Sequence, residues 1–207
     1  MDINSEKSME QTILETAEQM FLERGFAATS TTQIAKSVGC NQALIHYYFR
    51  TKENLFNSIF ESKFKLLFQR VFDTTQLENL SFSDKIKHIV ETHFDILAEN
   101  PKMPMLILNE LSRQPEQIKV LKERLHALPE KLISIMSKEL DSEIAAGKIK
   151  NCTFIDIMFT IVSLNVALFT MLPIALNIVE LNDTQLKFLL AHRRSENVNI
   201  VLSYLRP

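Results

Sequence analysis

Residues 29–52 read Thr-Ser-Thr-Thr-Gln-Ile-Ala-Lys-Ser-Val-Gly-Cys-Asn-Gln-Ala-Leu-Ile-His-Tyr-Tyr-Phe-Arg-Thr-Lys. Ser30, with Gln33 three residues on, is a capping-box start for a first helix. Ile34 and Val38 lie four apart and face inward together, and Ala35 is small where a second helix must cross closely. Gly39 supplies the left-handed backbone that ends one helix and begins a turn. Asn41 is an N-cap for the next helix, along which Leu44, Ile45 and Tyr48 return an apolar stripe. A second helix can follow this soon only if Gly39 makes the bend. The pattern predicts a helix-turn-helix, a unit that holds its second helix out for the major groove of DNA.

Charge follows the same plan. From Ala27 to Lys52 the cations are Lys36, Arg50 and Lys52, with no Asp or Glu, so the segment is +3. Residues 1–26 set Lys7 and Arg24 against six acids and carry −4. Positive charge is therefore confined to the segment that would meet phosphates. The whole chain is −2, which argues against a nonspecific DNA coat and for a focused patch.

The run Gly39-Cys-Asn-Gln-Ala-Leu-Ile-His-Tyr-Tyr-Phe-Arg-Thr-Lys-Glu-Asn-Leu-Phe56 resembles the signature of the TetR family of bacterial transcriptional regulators. Residues 17–35, Ala-Glu-Gln-Met-Phe-Leu-Glu-Arg-Gly-Phe-Ala-Ala-Thr-Ser-Thr-Thr-Gln-Ile-Ala, resemble that family's first two helices. The likeness covers about residues 10–60. Cys40 stands where an aliphatic residue is usual and His46 where Tyr is commoner, so base preference does not carry over. The resemblance implies an all-α fold, with a three-helix DNA-binding domain over residues 1–50. A helical effector-binding and dimerisation domain would occupy 51–207, its last two helices forming a four-helix dimer interface.

Composition agrees with an all-α chain. Only three glycines occur in 207 residues, Gly25, Gly39 and Gly147, each at an expected helix end. Ile13, Ala17, Met20 and Phe21 form one face of a first helix, which Gly25 closes and from which Phe26 folds back. Thr51 caps a long helix over about residues 52–72. Ser83 opens a helix with the stripe Ile86, Ile89, Val90, His93, Phe94 and Leu97. Pro101 and Pro104 punctuate a segment from Met103 to Ser112. A helix after Pro115 carries Ile118, Leu121, Leu125 and Leu128, and Pro129 kinks or divides it before Leu132, Ile135, Met136 and Leu140. Two further helices are predicted at about 153–179 and 183–205. The stretch 157–176 approaches a membrane span in length and apolarity, but Asp156, Asn165 and Pro173 interrupt it and basic flanks are sparse. Burial between a core and a partner subunit explains it without a bilayer. The acidic, polar N-terminus does not read as a signal peptide, and Cys40 and Cys152 lack metal or CxxC spacing, so they read as reduced cytosolic thiols.

The expected function is that of a cytoplasmic homodimeric transcription factor, a repressor. Two copies of the helix 42–49 would enter successive major grooves about 34–36 Å apart, on an inverted-repeat operator in double-stranded DNA. Gln42 suits adenine N6 and N7, Ala43 a thymine methyl, and His46, one turn on, a further base edge. Tyr47, Tyr48, Thr31, Thr32 and Lys52 suit phosphates. Tyr48 is either such a contact or a core residue. Lys52 sits in a helix first turn, where the dipole disfavours a cation, so it implies a nearby anion or is simply solvated. As the resemblance implies, the C-terminal helices would bind a hydrophobic or amphipathic small molecule that releases the protein from DNA. Phe64, Phe68, His93, Met105, Asn109, Phe159 and Asn165 are the candidate pocket residues, each also readable as core. No cofactor, metal or membrane is called for. An architectural or partner-docking protein of the same fold, without an effector, is the alternative. No nucleophile elbow, phosphate-cradling loop or HExxH spacing supports an enzyme.

Overall fold

The computed structural model of the chain describes residues 8–71, 77, 79–113, 119 and 128–207. Helices occupy the described residues, without a strand: α1 (Met9–Arg24), α2 (Thr31–Val38), α3 (Gln42–Phe49), α4 (Lys52–Val71), α5 (Phe82–Glu99), α6 (Met103–Arg113), α7 (Leu128–Ala145), α8 (Phe154–Ile178) and α9 (Asp183–Leu205). They gather into two units, Met1–Phe64 with Leu106–Arg124, and Lys65–Met105 with Leu125–Pro207. The first unit thus takes in the opening turns of α4 beyond residue 50. The predicted helix with Ile118, Leu121 and Leu125 lies outside the described residues.

In the first unit the helix ends form as their sequences dictate. Ser8 Oγ accepts the Gln11 N–H, and Ile13, Ala17, Met20 and Phe21 are buried along α1. Both halves of the Ser30–Gln33 capping box are made. Gly39 is left-handed (φ 81°, ψ 26°), and the N–H groups of Gly39 and Cys40 both donate to Ala35 O at 3.0 Å. A Cβ at Gly39 would meet nothing within 4 Å, so glycine is required there by backbone conformation and not by space. Asn41 Oδ1 accepts the Leu44 N–H at 2.9 Å, and Thr51 Oγ1 the Asn54 N–H at 3.0 Å. The rings of Phe21, Phe26 and Phe56 meet with centroids 5.1–5.8 Å apart. The predicted α3 stripe needs one correction. Ile45 and Phe49, four apart, are the buried pair, whereas Tyr48 is 38% exposed and Leu44 half-buried. A helix turns 100° per residue, so Phe49 occupies the inward direction and leaves the Tyr48 phenol in water.

The loop between α1 and α2 is closed by two side chains. Thr29, 1% exposed, donates its hydroxyl to Gly25 O at 2.9 Å. Lys52 Nζ donates to Phe26 O and to Thr29 O, both at 3.0 Å, and lies 4.1 Å from the Phe26 ring centroid. The negative partner inferred for Lys52 is therefore internal: two carbonyl dipoles and the face of an aromatic ring.

In the second unit α5 begins at Phe82, capped by Ser81 instead of the expected Ser83, because Ser81 has Asp84 three residues on to complete its hydrogen bonds. Ile86, Ile89, Val90, His93 and Phe94 are buried as predicted, and Leu97 is half-buried. Pro129 lies in the first turn of α7 as described, where a missing N–H is tolerated, and the residues just before it, on which the choice between a kink and a division turns, lie outside the described residues. Met136 and Leu140 are buried there, but Ile135 is 52% exposed, a further departure from the predicted stripe. Thr153 and Asp156 form the capping box of α8. Ile157, Ile161, Asn165, Phe169 and Leu172 give α8 its buried face, and the Phe94 and Phe169 rings meet at 5.2 Å. The opposite face of α8 exposes Ile155, Phe159, Val162, Met171, Ile174 and Ile178. By length and hydropathy α8 is apolar enough to cross a membrane.

A string of polar side chains runs through this core. Arg193 Nη2 donates to Asn197 Oδ1 (2.7 Å), Asn197 Nδ2 to Asn165 Oδ1 (2.8 Å), and Asn165 Nδ2 to Val90 O and His93 Nδ1 (both 3.0 Å). Asn165 and Asn197 are wholly buried and every amide valence named is matched, which is what makes polar groups tolerable here. His93 Nδ1 faces an N–H donor and so must be the unprotonated nitrogen. Burial lowers the His93 pKa to about 4.

Two outcomes are expected. Lys52→Met, which keeps the stem over Phe26 but removes the donor, should cost about 1–3 kcal/mol in chemical denaturation. Unfolded His93 takes up its proton near pH 6.5 and folded His93 only near 4, so between these values the unfolded state binds more protons. The stability owed to neutral His93 is complete above pH 6.5 and is lost as pH falls towards 4, by at most about 3 kcal/mol. His93→Gln, which retains an acceptor for Asn165 but does not titrate, should flatten that part of the stability–pH curve.

Candidate nucleic-acid interface

The outward side of α3 is built on Gln42. Thr32 Oγ1 donates to Gln42 Oε1 at 2.9 Å, and Gln42 Nε2 donates to Thr31 Oγ1 at 3.0 Å. The first turn of α2 thereby fixes the exposed amide at the start of α3. One N–H and one oxygen lone pair of that amide stay unspent, the combination that adenine N7 and N6 require. The two threonines differ in what remains to them. Thr31 still has its hydroxyl proton for a phosphate, while Thr32 has given its proton to Gln42.

Ala43 and His46 are exposed on α3. Tyr47 is 72% exposed and meets the Tyr48 ring edge-on at 5.3 Å, so both phenol groups reach solvent from one side of the helix. Lys36 and Arg50 are exposed as well, whereas the Lys52 ammonium is seated on its two carbonyls. The cation expected to act most directly on phosphate is thus the one most occupied within the fold. The segment has no acid to oppose the remaining charge.

Arg50, unassigned in the sequence, marks an unusual chain reversal. It has φ 68° and ψ −52°, the one non-glycine with positive φ among the described residues. The Thr51 N–H donates to Phe49 O across it at 2.8 Å, which makes a γ-turn of the rare positive-φ kind. Such a conformation costs on the order of 1–3 kcal/mol and persists only where neighbours hold it. His46 is one of those neighbours. The Arg50 N–H donates to His46 O at 3.0 Å, and the Arg50 carbonyl in turn lies 2.7 Å from His46 Nδ1. Glycine or asparagine at this position would have signalled the turn; an arginine conceals it.

The pocket candidates do not gather at one place. His93 and Asn165 are joined directly, at 3.0 Å, and Asn197 and Arg193, which periodicity alone did not single out, extend the pair. Their signal was present as asparagines within the otherwise apolar stripes of two helices. Phe64 and Phe68 are half-buried and Met105 is 40% exposed. Phe159 corrects the expectation of an inward position: it is 70% exposed on the outer face of α8, opposite Ile157 and Ile161. Within the first unit, Asn109 borders a cavity of about 470 Å³ with Arg24, Phe26, Leu106 and Glu110. In the second, a cleft of about 400 Å³ runs along Ser163, Leu164, Ala167, Leu168 and Met171, with Arg193 at its edge. No group of three or more His, Cys, Asp or Glu side chains among the described residues is placed to hold a metal.

With this geometry in view, comparison with known proteins is specific. Residues 13–59 match the family described as bacterial regulatory proteins, tetR family. The fatty acid metabolism regulator protein of Bacillus subtilis is 23% identical over 138 residues, 67% of this chain and 69% of that protein. The negative transcriptional regulator of the biofilm operon in Staphylococcus aureus is 27% identical over 109 residues, 53% of this chain and 56% of that one. Among solved structures, a tetR family bacterial regulatory protein from Rhodococcus superposes with a TM-score of 0.73 at 16% identity, covering 97% of this chain and 98% of that one. That likeness covers the fold of both units, and the matched relatives are regulators of transcription, not enzymes. The helix-turn-helix with its exposed, acid-free third helix lies within the segment that matches the tetR family of bacterial regulatory proteins, and the chain as a whole is similar in fold to regulators of that family.

Proposed function

We propose that this regulator is a cytoplasmic repressor that binds an inverted-repeat operator as a homodimer and leaves it on binding a hydrophobic or amphipathic effector. The observation that carries the reading is the Gln42 amide, held by Thr31 and Thr32 at the start of α3 with one donor and one acceptor unspent. An amide fixed in this way loses little side-chain entropy on meeting a base, so its interaction favours one sequence over others. Ala43 lies beside it for a thymine methyl. Tyr47, Tyr48, Thr31 and the exposed cations Lys36 and Arg50 serve as phosphate contacts, which set register. Lys52 acts through the loop it holds.

Dimerisation through α8 and α9 is supported by the exposed apolar face of α8 together with Phe188 and Ile200 of α9. An exposed face of this extent is costly in water and is what a four-helix interface would cover. Release by an effector would be a shift in population towards a spacing of the two reading heads that no longer fits the operator. The apolar cleft along Leu164, Ala167, Leu168 and Met171, with Arg193 at its edge, favours an amphipathic molecule. The Bacillus subtilis relative, named for fatty acid metabolism, agrees with that class.

Selection from random double-stranded DNA at about 150 mM salt, a concentration at which nonspecific phosphate binding is weakened, should recover an inverted repeat. Gln42→Ala should weaken binding to that repeat by about 1–3 kcal/mol while leaving binding to unrelated DNA unchanged. Recovery of no motif by folded dimer would sink the operator reading. Phe159→Glu should lower the mass in sedimentation to that of a single 23.9 kDa chain, with loss of operator binding. A dimer that survives this change would place the interface elsewhere.

A further inference from the structure

The fold commits His46 to a single tautomer, and this has a consequence for which bases it can read. Its Nδ1 lies 2.7 Å from the Arg50 carbonyl oxygen. A carbonyl only accepts, so Nδ1 carries the proton and donates. In the neutral imidazole the other nitrogen, Nε2, is then a bare acceptor. The side chain is exposed, and Nε2 has no hydrogen-bond partner among the described residues. His46 stands four residues after Gln42, on the same face of α3 and one turn further along.

The lock is more than a chance surface contact, because the Arg50 carbonyl is set by the chain reversal. The γ-turn at Arg50 is closed by the Thr51 N–H on Phe49 O, and the Arg50 N–H is tied back to His46 O. His46 and Arg50 are therefore joined twice, main chain to main chain and ring to main chain. The ring satisfies a carbonyl that the end of α3 leaves without a helical partner. To donate from Nε2 instead, the neutral ring would have to leave that carbonyl unpaired.

We propose that His46 is a specificity-determining residue that reads an exocyclic amino group, cytosine N4 or adenine N6, at the base pair next to the one met by Gln42, and that the Arg50 γ-turn is its positioning element. This rests on the operator-binding reading above. In the major groove, cytosine and adenine offer an amino donor where guanine and thymine offer a carbonyl acceptor. An acceptor-only Nε2 pairs with the first set and opposes the second. His46 thus divides bases by amino against keto, while Gln42 selects adenine alone.

Selection from random duplexes by the full-length dimer, repeated with His46→Ala and His46→Lys, tests the assignment. Wild type should enrich cytosine or adenine over guanine or thymine at that position by on the order of tenfold, the discrimination expected of one base-edge hydrogen bond. His46→Ala should lose the preference at that pair alone, and His46→Lys, which only donates, should move it to guanine. A long-range proton–nitrogen correlation spectrum of the free wild-type protein should place the His46 proton on Nδ1, a readout that depends on neither DNA nor a variant's folding. A proton on Nε2, a keto base under His46, or an Ala variant with an unchanged motif would each overturn the proposal. If the adenine contact of Gln42 is recovered while its neighbour is indifferent, His46 fails and the operator reading stands. Recovery of no motif overturns both.

Discussion

A three-helix reading head has little core, and its loops must be closed by polar groups that sit where apolar packing cannot reach. Lys52 is the clearest instance. Its ammonium joins the carbonyls of Phe26 and Thr29 and rests on the Phe26 ring, so one side chain ties the first turn of α4 to the loop that delivers α2. The Phe21–Phe26–Phe56 cluster packs beneath that loop. Thr29 spends its hydroxyl on the same loop. With the loop held, Thr31 and Thr32 occupy the first turn of α2, and they in turn hold Gln42. The Gln42 amide, the proposed base contact, is thus reached from Lys52 through a short succession of specific contacts.

The second unit solves the opposite problem, that of placing polar groups inside a large apolar core. Asn165, Asn197 and His93 are tolerated because they satisfy one another and the Val90 carbonyl. Such a network contributes less to net stability than to specificity of packing, since sliding α8 by one residue would strand several buried donors at once. The ion pairs on the unit's surface are a different matter. Arg194 makes a two-pronged contact with Asp95 and a further one with Glu91, but these groups are a quarter to two-fifths exposed and screened by solvent. They favour the pairing of α5 and α9 without determining it.

Much of this was legible in the residues. The Ser30–Gln33 capping box, the Gly39 turn and the stripes of α1 and α5 follow from local rules that the structure obeys. What escaped the sequence were arrangements that depend on residues far apart or on conformations a residue type disfavours. Lys52 reads as a phosphate contact until Phe26 O and Thr29 O are brought to it. Tyr48 and Phe49 are adjacent aromatics, and which of them faces inward depends on a rotation that spacing alone left ambiguous. Phe159 and Ile157 are equally apolar, so only the packing of α8 tells the buried face from the outer one. His93 and Asn165 were each identifiable as polar groups in apolar stripes, but their union needed the crossing of two helices.

The γ-turn at Arg50 also sets a limit on how much sequence the proposed base contacts of α3 could inspect. It ends α3 after eight residues, a rod about 12 Å long at 1.5 Å per residue. At roughly 3.4 Å per base pair, that length lies alongside no more than about four base pairs. On the proposed operator reading, each α3 would therefore have room for a very short word. A longer recognition sequence would have to draw its remaining information from the bending and groove width of the DNA between and beyond those words, where no side chain of α3 arrives.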